Sequence, residues 1–123
     1  LANQLIIENK PVEAERIIDM CMQKFPIEKF GYYTLLEPFI ISYYEINKDE
    51  KARKLFDKIA EKYQEKLLYF SGLNNSNKNR YAEELYTDIE RYRSLVDIMI
   101  NFEEGEFLEN RMQEFNNYLD LFL

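Results

Sequence analysis

Apolar side chains recur in two stretches of the chain at the same helical spacing. Counted from Ala14, they follow at steps of 3, 4, 7, 8 and 11 residues, and counted from Ala52 they follow at the same steps. The two sets are Ile17, Ile18, Cys21, Met22 and Phe25, and Leu55, Phe56, Ile59, Ala60 and Tyr63. This spacing places side chains on one face of an α-helix. The sequence therefore predicts two copies of one amphipathic helix, 38 residues apart, from position 14 to position 52.

An Asn-Lys pair precedes each of these helices at the same offset, at Asn9-Lys10 and at Asn47-Lys48. Asparagine tolerates the left-handed backbone conformation that ends a helix. Pro11 suits the first position of the helix that follows the first pair, and Asp49 suits the positive end of the helix dipole after the second. Each unit is therefore predicted to be a helix, a tight turn and a second, antiparallel helix.

A period of about 34 to 40 residues with two helices per unit is typical of helical repeat arrays. The spacing resembles the tetratricopeptide repeat: Ala14 and Ala52 fall on its first alanine, Ile18 and Phe56 on its bulky position, and Pro26 on its closing proline. The chain departs from that pattern because Asn replaces Gly at both turns and the second unit lacks the closing proline. The resemblance implies an α-α superhelix.

The second half predicts a third, less regular hairpin. The helix after Asp49 is expected to end at Gly72, and residues 73–80 (LNNSNKNR) are expected to be a polar loop. A long helix is predicted for about residues 81–102, a turn at Gly105, and a last helix after it. Pro38 marks the first turn of its helix or kinks it. The predicted fold is all-α, with six helices in units of about 1–26, 32–70 and 80–123. The predicted apolar stripes of the last two helices are Leu85, Ile89, Tyr92, Val96 and Met99, and Leu108, Met112, Phe115, Leu119 and Phe122.

Composition limits the possible functions of this 123-residue chain. A formal net charge of −7 disfavours nucleic acid and anionic membrane surfaces as partners. The absence of histidine removes the commonest general base and most zinc sites, and Cys21 has no second cysteine with which to form an intrachain disulfide. We predict no catalytic residue, metal or cofactor in this chain. No apolar run approaches the roughly 20 residues that span a bilayer. Because the chain begins with Leu-Ala-Asn, we expect it to be part of a longer protein.

A broader resemblance covers residues 1 to about 70. The stretches ANQLIIENKPVEAERIIDMCMQKFP and SYYEINKDEKARKLFDKIAEKYQEKLLYF resemble the C-terminal region of bacterial polytopic membrane proteins of the protein O-mannosyltransferase-like kind, a family of unknown function. The resemblance implies a non-catalytic domain on the periplasmic side of the inner membrane that binds a protein or peptide, with any catalytic residues upstream of Leu1. The alternative is a free-standing adaptor, or a fragment of a surface lipoprotein that serves nutrient uptake.

The stretch GYYTLLEPFIISYYEI is the candidate binding segment. The repeat alignment places Glu37, Ile41, Tyr44 and Glu45 on a groove, and tyrosine offers both apolar area and a hydroxyl group to a peptide or sugar. In the alternative interpretation the tyrosines pack between hairpins, which we favour for Tyr43 and weigh equally for Tyr44.

Three other features have a functional and a structural interpretation. We interpret Cys21, on the apolar stripe, as a small core residue rather than a reactive thiol. We interpret the carboxylates around Gly105 as a solvated turn rather than a cation site. The triplet Asn74-Asn75-Ser76 fits the N-glycosylation pattern but is frequent by chance in Asn-rich segments. The carboxylates are those of Glu103, Glu104 and Glu106.

Overall fold

The structure, a computed structural model, describes residues 11–24 and 36–122. These residues form helices and turns without any strand, which confirms the predicted all-α class. The helices are α1 (Pro11–Lys24), α2 (Glu37–Glu45), α3 (Asp49–Ser71), α4 (Asn75–Arg80), α5 (Ala82–Phe102) and α6 (Glu106–Leu119), and a 3-10 turn (Asp120–Phe122) follows them.

The chain divides into two compact units, residues 1–59 and 60–123. Helix α3 crosses this boundary, so its first part belongs to the first unit and the remainder to the second. The three-hairpin division into residues 1–26, 32–70 and 80–123 remains a prediction, because much of its first hairpin lies outside the described residues.

The core of the first unit contains the predicted repeat positions. Ala14 and Ala52 are both fully buried, as are Ile18 and Phe56 at the bulky position that follows each alanine. Further along, Cys21 is half-buried, whereas the corresponding Ile59 is fully buried. The two stripes therefore match in burial at the small and bulky positions but not elsewhere, since Ile17 is also half-buried whereas the corresponding Leu55 is buried. Leu36, Ile40, Tyr43, Tyr44, Ile46 and Leu55 complete this core.

The turn between α2 and α3 confirms the role predicted for asparagine. Asn47 has a φ of 63°, in the left-handed region, directly after the end of α2. The Lys48 amide donates to the Tyr43 carbonyl at 2.8 Å, and the Asn47 amide donates to the Tyr44 carbonyl at 3.0 Å. This pair of bonds is the Schellman motif, which satisfies the last carbonyl groups of a helix. The equivalent Asn9 lies outside the described residues.

The sequence allows two interpretations of Pro38, a position in the first turn of its helix or a kink. Pro38 lies in the first turn of α2, in agreement with the first of them. Proline is tolerated there because the first amides of a helix have no carbonyl partner within the helix.

Aromatic packing organises the second unit. The rings of Tyr63 and Tyr92 are stacked with centroids 6.0 Å apart, and Phe115 meets Tyr92 edge-on at 4.9 Å. Gln64 donates to the Tyr92 hydroxyl at 2.8 Å, so this buried phenol has a hydrogen-bond partner. Burial nevertheless raises the pKa of Tyr92 to about 12. Leu67, Phe70, Leu95, Val96 and Met99 complete the apolar core.

The prediction of a loop at residues 73–80 is wrong for most of these residues, because Asn75–Arg80 forms helix α4. The Asn74 side chain accepts a hydrogen bond from the Asn77 amide at 2.9 Å and so caps the helix. Lys78 and Arg80 lie in the last turn, where cations interact favourably with the helix dipole. The sequence of α4, NSNKNR, contains no apolar residue, so the helix has no apolar stripe, and none of its residues is buried.

The other predicted boundaries agree closely with the structure. Helix α3 ends at Ser71, just before Gly72, and α5 ends at Phe102. Gly105 precedes α6 with a φ of 80°, a backbone conformation in which a side chain would be strained. The stripes of α5 and α6 are less accurate. Leu85 and Ile89 are only half-buried, Met112 is exposed, and among the predicted α6 positions only Phe115 is buried.

Candidate functional site

An open cavity of about 370 Å³ lies in the second unit, between the last turns of α3 and the start of α5. Helix α3 ends at Ser71 and α4 is short, so the chain returns Tyr81 to the side of Phe70, with ring centroids 6.4 Å apart. We call it the aromatic cavity, and its lining residues are Glu65, Lys66, Tyr69, Phe70, Tyr81 and Glu84. Aromatic and acidic groups therefore lie side by side on one surface.

The three aromatic rings of this cavity differ in exposure. Phe70 is 4% exposed and contacts both other rings, with its centroid 5.8 Å from that of Tyr69. Tyr69 is 64% exposed and Tyr81 is 37% exposed. The Arg80 guanidinium carbon lies 5.8 Å from the Tyr81 centroid, so a cation already occupies one side of that ring.

A second, more polar cavity of about 480 Å³ adjoins the first and shares Lys66, Tyr81 and Glu84 with it. Its other lining residues are Arg80, Glu83, Thr87, Asp88 and Arg91, all from the end of α4 and the first turns of α5. We call this second cavity, which has eight lining residues in all, the polar cavity. Acidic and basic groups are balanced in it, with three of each.

Asp88 is the unusual residue of the polar cavity, because its side chain is only 2% exposed. The Lys66 ammonium lies 3.5 Å from Oδ1 and 3.4 Å from Oδ2, longer than the roughly 2.7–2.9 Å of a strong charge-assisted hydrogen bond. Within the described part of the chain, Oδ2 accepts no hydrogen bond. Burial raises the pKa of the Asp88 carboxyl above its ordinary value of 3.8, and the Lys66 ammonium offsets only part of this effect.

A polar cluster in the first unit joins three helices. The Tyr43 hydroxyl donates to Asp19 Oδ1 at 2.7 Å, and the Lys51 ammonium lies 2.7 Å from both Asp19 Oδ2 and Glu15 Oε2. Burial and the hydrogen bond to Asp19 raise the pKa of Tyr43. Burial opposes ionisation of Asp19, but the bonds from Lys51 and Tyr43 outweigh it and lower the pKa of that carboxyl. Because these groups satisfy one another, the cluster is a structural connection rather than a reactive site.

The four residues of the predicted groove all lie on α2. Glu37 and Ile41 are half-buried, Glu45 is exposed, and Tyr44 is 6% exposed. Tyr43 is also buried and bonded to Asp19, in line with the packing interpretation that we favoured for it. The burial of Tyr44 leaves little of its ring for a ligand, while the groove itself remains a prediction.

The other candidate residues do not converge on a site. Cys21 is half-buried and unpaired. Of the three glutamates around Gly105, Glu103 is buried while its two neighbours are exposed. Across residues 11–24 and 36–122, no group of three or more side chains is arranged to hold a metal ion. The side chain of Asn74 caps α4.

Sequence reasoning missed the two cavities, although signals for them exist. Asp88 lies one helical turn before Tyr92 on a face that is otherwise apolar, and a carboxylate is seldom fully buried unless it is paired. Tyr69 and Tyr81 flank the Asn-rich segment on both sides. What the sequence does not show is that α4 brings those two tyrosines together.

In comparisons with known proteins, the chain matches no family model, no curated protein and no solved structure. The helices of the described segments include none with both the length and the apolar character that a bilayer crossing requires.

Proposed function

We propose that this chain is a non-catalytic helical-repeat domain that binds an extended segment of a protein or peptide. The observation that carries the proposal is the aromatic cavity, in which the exposed Tyr69 and Tyr81 rings stand beside the Glu65 and Glu84 carboxylates over the buried Phe70. Tyrosines give large contact area at small cost in side-chain entropy, and they are enriched among the residues that dominate binding energy.

The 38-residue repeat supports the same proposal. A tetratricopeptide-like stack presents an extended surface built from successive helices, and such surfaces bind peptides in many repeat proteins. The paired burial of Ala14 and Ala52, and of Ile18 and Phe56, is what two copies of one packing unit require.

The experiment is a selection of displayed random peptides on the whole chain, followed by affinity measurements with the selected peptides in synthetic form. Tyr69→Ala is expected to weaken binding about tenfold or more, because it removes a central aromatic contact. Tyr86→Ala is the matched control, since Tyr86 is 65% exposed and lines neither cavity. Failure to enrich any peptide, or equal affinities for Tyr69→Ala and the unmodified chain, would reject the proposal.

We further propose, from the family resemblance of residues 1–70, that the domain belongs to a glycosyltransferase-like membrane protein and faces the periplasm. The gene upstream of Leu1 tests this idea. About ten apolar segments of roughly 20 residues each would support it. A signal peptide followed by a short chain would favour the adaptor or nutrient-uptake lipoprotein instead. Turnover of activated sugars by the isolated chain would contradict the non-catalytic role.

A further inference from the structure

Asp88 lacks the partners that a buried carboxylate ordinarily has. An ionised carboxylate accepts several hydrogen bonds, and buried polar atoms in native proteins are nearly always bonded. Here Oδ1 has one long bond from Lys66, and Oδ2 has an ion-pair contact without a hydrogen bond. A buried carboxylate oxygen without a hydrogen bond indicates that a donor group of a bound ligand completes the site.

The geometry around Lys66 shows from which side that group would come. The Lys66 ammonium is almost equidistant from the two oxygens of Asp88, at 3.5 and 3.4 Å, so both oxygens face the position that it occupies. Lys66 also lines both cavities, and its side chain is 42% exposed. Since Oδ2 is covered, an incoming group must replace the ammonium, and Lys66 is exposed enough to move into solvent.

The shape of the site favours one kind of replacement. A guanidinium offers parallel N–H donors in a planar fork that bonds both oxygens of a carboxylate at once, whereas an ammonium acts as a single point charge. The aromatic cavity supplies ring faces on which a guanidinium stacks, and Arg80 already makes such a contact with Tyr81. Lys66, Arg80 and Arg91 oppose a further cation, but the carboxylates that line the two cavities outnumber them by four to three. These carboxylates are Glu65, Glu83, Glu84 and Asp88.

We infer that Asp88 is the anchor of a subsite for the arginine side chain of a bound peptide, in which the guanidinium displaces Lys66 and bonds both carboxylate oxygens. This inference rests on the proposed peptide-binding function and names the ligand group. The net charge of −7 favours the approach of a basic segment. Tyr81, which lines both cavities, stacks on the arginine side chain, and Tyr69 lies in the adjoining aromatic cavity.

The test is a titration of the isotope-labelled whole chain, followed by backbone amide NMR, with N-acetyl-arginine amide and N-acetyl-citrulline amide. Citrulline has the shape of arginine without its charge. We expect arginine amide to cause saturable shifts in residues 66–70 and 84–91 and to bind about tenfold or more tightly than citrulline amide. Equal binding of the two compounds, or shifts centred elsewhere, would overturn the inference.

Two substitutions act in opposite directions. Asp88→Asn is expected to weaken arginine amide binding about tenfold or more, while Asp97→Asn, an exposed carboxylate on the same helix, leaves it unchanged. Lys66→Met removes the competing ammonium and is expected to strengthen binding severalfold. If Asp88 serves only to pair with Lys66, Asp88→Asn leaves arginine amide binding unaltered and Lys66→Met does not strengthen it. Either result would refute the proposed subsite.

The displayed peptides separate this inference from the function on which it rests. Selected peptides that share an arginine, and lose affinity when it is replaced by citrulline, support both. Peptides that bind through Tyr69 without any basic residue leave peptide binding standing and refute the arginine subsite. Arginine amide binding through Asp88 without any enriched peptide supports the subsite alone and refutes the broader function.

Discussion

Replacing Asp88 with asparagine is expected to stabilise the fold at pH 7, although it removes one member of an ion pair. The carboxylate is buried, and one of its oxygens accepts no hydrogen bond in the described structure. Because burial raises the pKa of Asp88, the folded state favours the protonated, neutral form relative to the unfolded state. Asparagine reproduces that neutral form in nearly the same volume.

The magnitude follows from two opposing contributions. An unpartnered buried polar atom costs about 1–3 kcal/mol and a charged one costs more, and the asparagine amide removes only this excess due to charge. The pair with Lys66 returns about 0.2–1 kcal/mol, because the lysine side chain is 42% exposed and solvent screens the interaction. The net expectation is a gain of about 1 kcal/mol in the free energy of unfolding, which corresponds to about 3–6 °C in Tm for a chain of this length.

The assay is urea unfolding followed by circular dichroism, at pH 7 and again at pH 3 to 4. A carboxyl whose pKa is raised by folding contributes stability below its unfolded pKa, and this contribution is lost as the pH rises through the folded pKa. The advantage of Asp88→Asn over the unmodified chain should therefore be near zero below the ordinary value of 3.8 and grow toward pH 7.

Asp97→Asn serves as the control, since Asp97 is exposed and should change the free energy of unfolding by no more than about 0.5 kcal/mol. A loss of about 1 kcal/mol or more for Asp88→Asn at pH 7 would show that the pair with Lys66 outweighs the cost of burial. A gain in stability together with a loss of arginine amide binding would instead identify a residue kept for function at the expense of stability.

Three further predictions concern the first unit. Asn47→Ala should lower the free energy of unfolding by about 1–2 kcal/mol because alanine is strained at a φ of 63°, while Asn47→Gly should not, and equal urea midpoints for the two variants would contradict this. Tyr43→Phe should cost about 1 kcal/mol by removing the donor to Asp19, and the loss should shrink in acid once Asp19, whose pKa is lowered in the fold, becomes protonated; a pH-independent loss would show that packing is responsible. Ala14→Leu and Ala52→Leu should each cost about 1–3 kcal/mol by overpacking fully buried positions, and tolerance of either substitution in thermal unfolding would argue against equivalent roles.

Local chemistry explains which parts of the fold the sequence predicts well. The end of α3 follows from Gly72, and the turn after α2 follows from an asparagine that tolerates the left-handed conformation. The buried alanines follow from a spacing that repeats after 38 residues. Each of these features depends on residues near one another in the chain, so the pattern and the structure agree.

Helix α4 and the cavities depend on interactions that the spacing of apolar residues along the chain does not reveal. The six polar residues of α4 form a helix whose first turn is capped by the Asn74 side chain. Such a cap is a single hydrogen bond, so it leaves no periodic pattern of apolar residues in the sequence. The ion-pair partner of the buried Asp88 is Lys66, which lies 22 residues earlier in the chain. The arrangement of Tyr69 beside Tyr81 is likewise a product of packing, and the predicted groove on α2 gave no indication of it.

The exposure of α4 makes this segment a natural place for a reporter. A dye attached at Asn75 or Asn79 replaces no core contact, since α4 contains no buried residue, and the Asn74 cap remains intact. The helix ends at Arg80, immediately before Tyr81, a residue common to both cavities. Fluorescence from that position would therefore follow occupancy as it happens, and peptides of any sequence could be screened before the natural partner is identified.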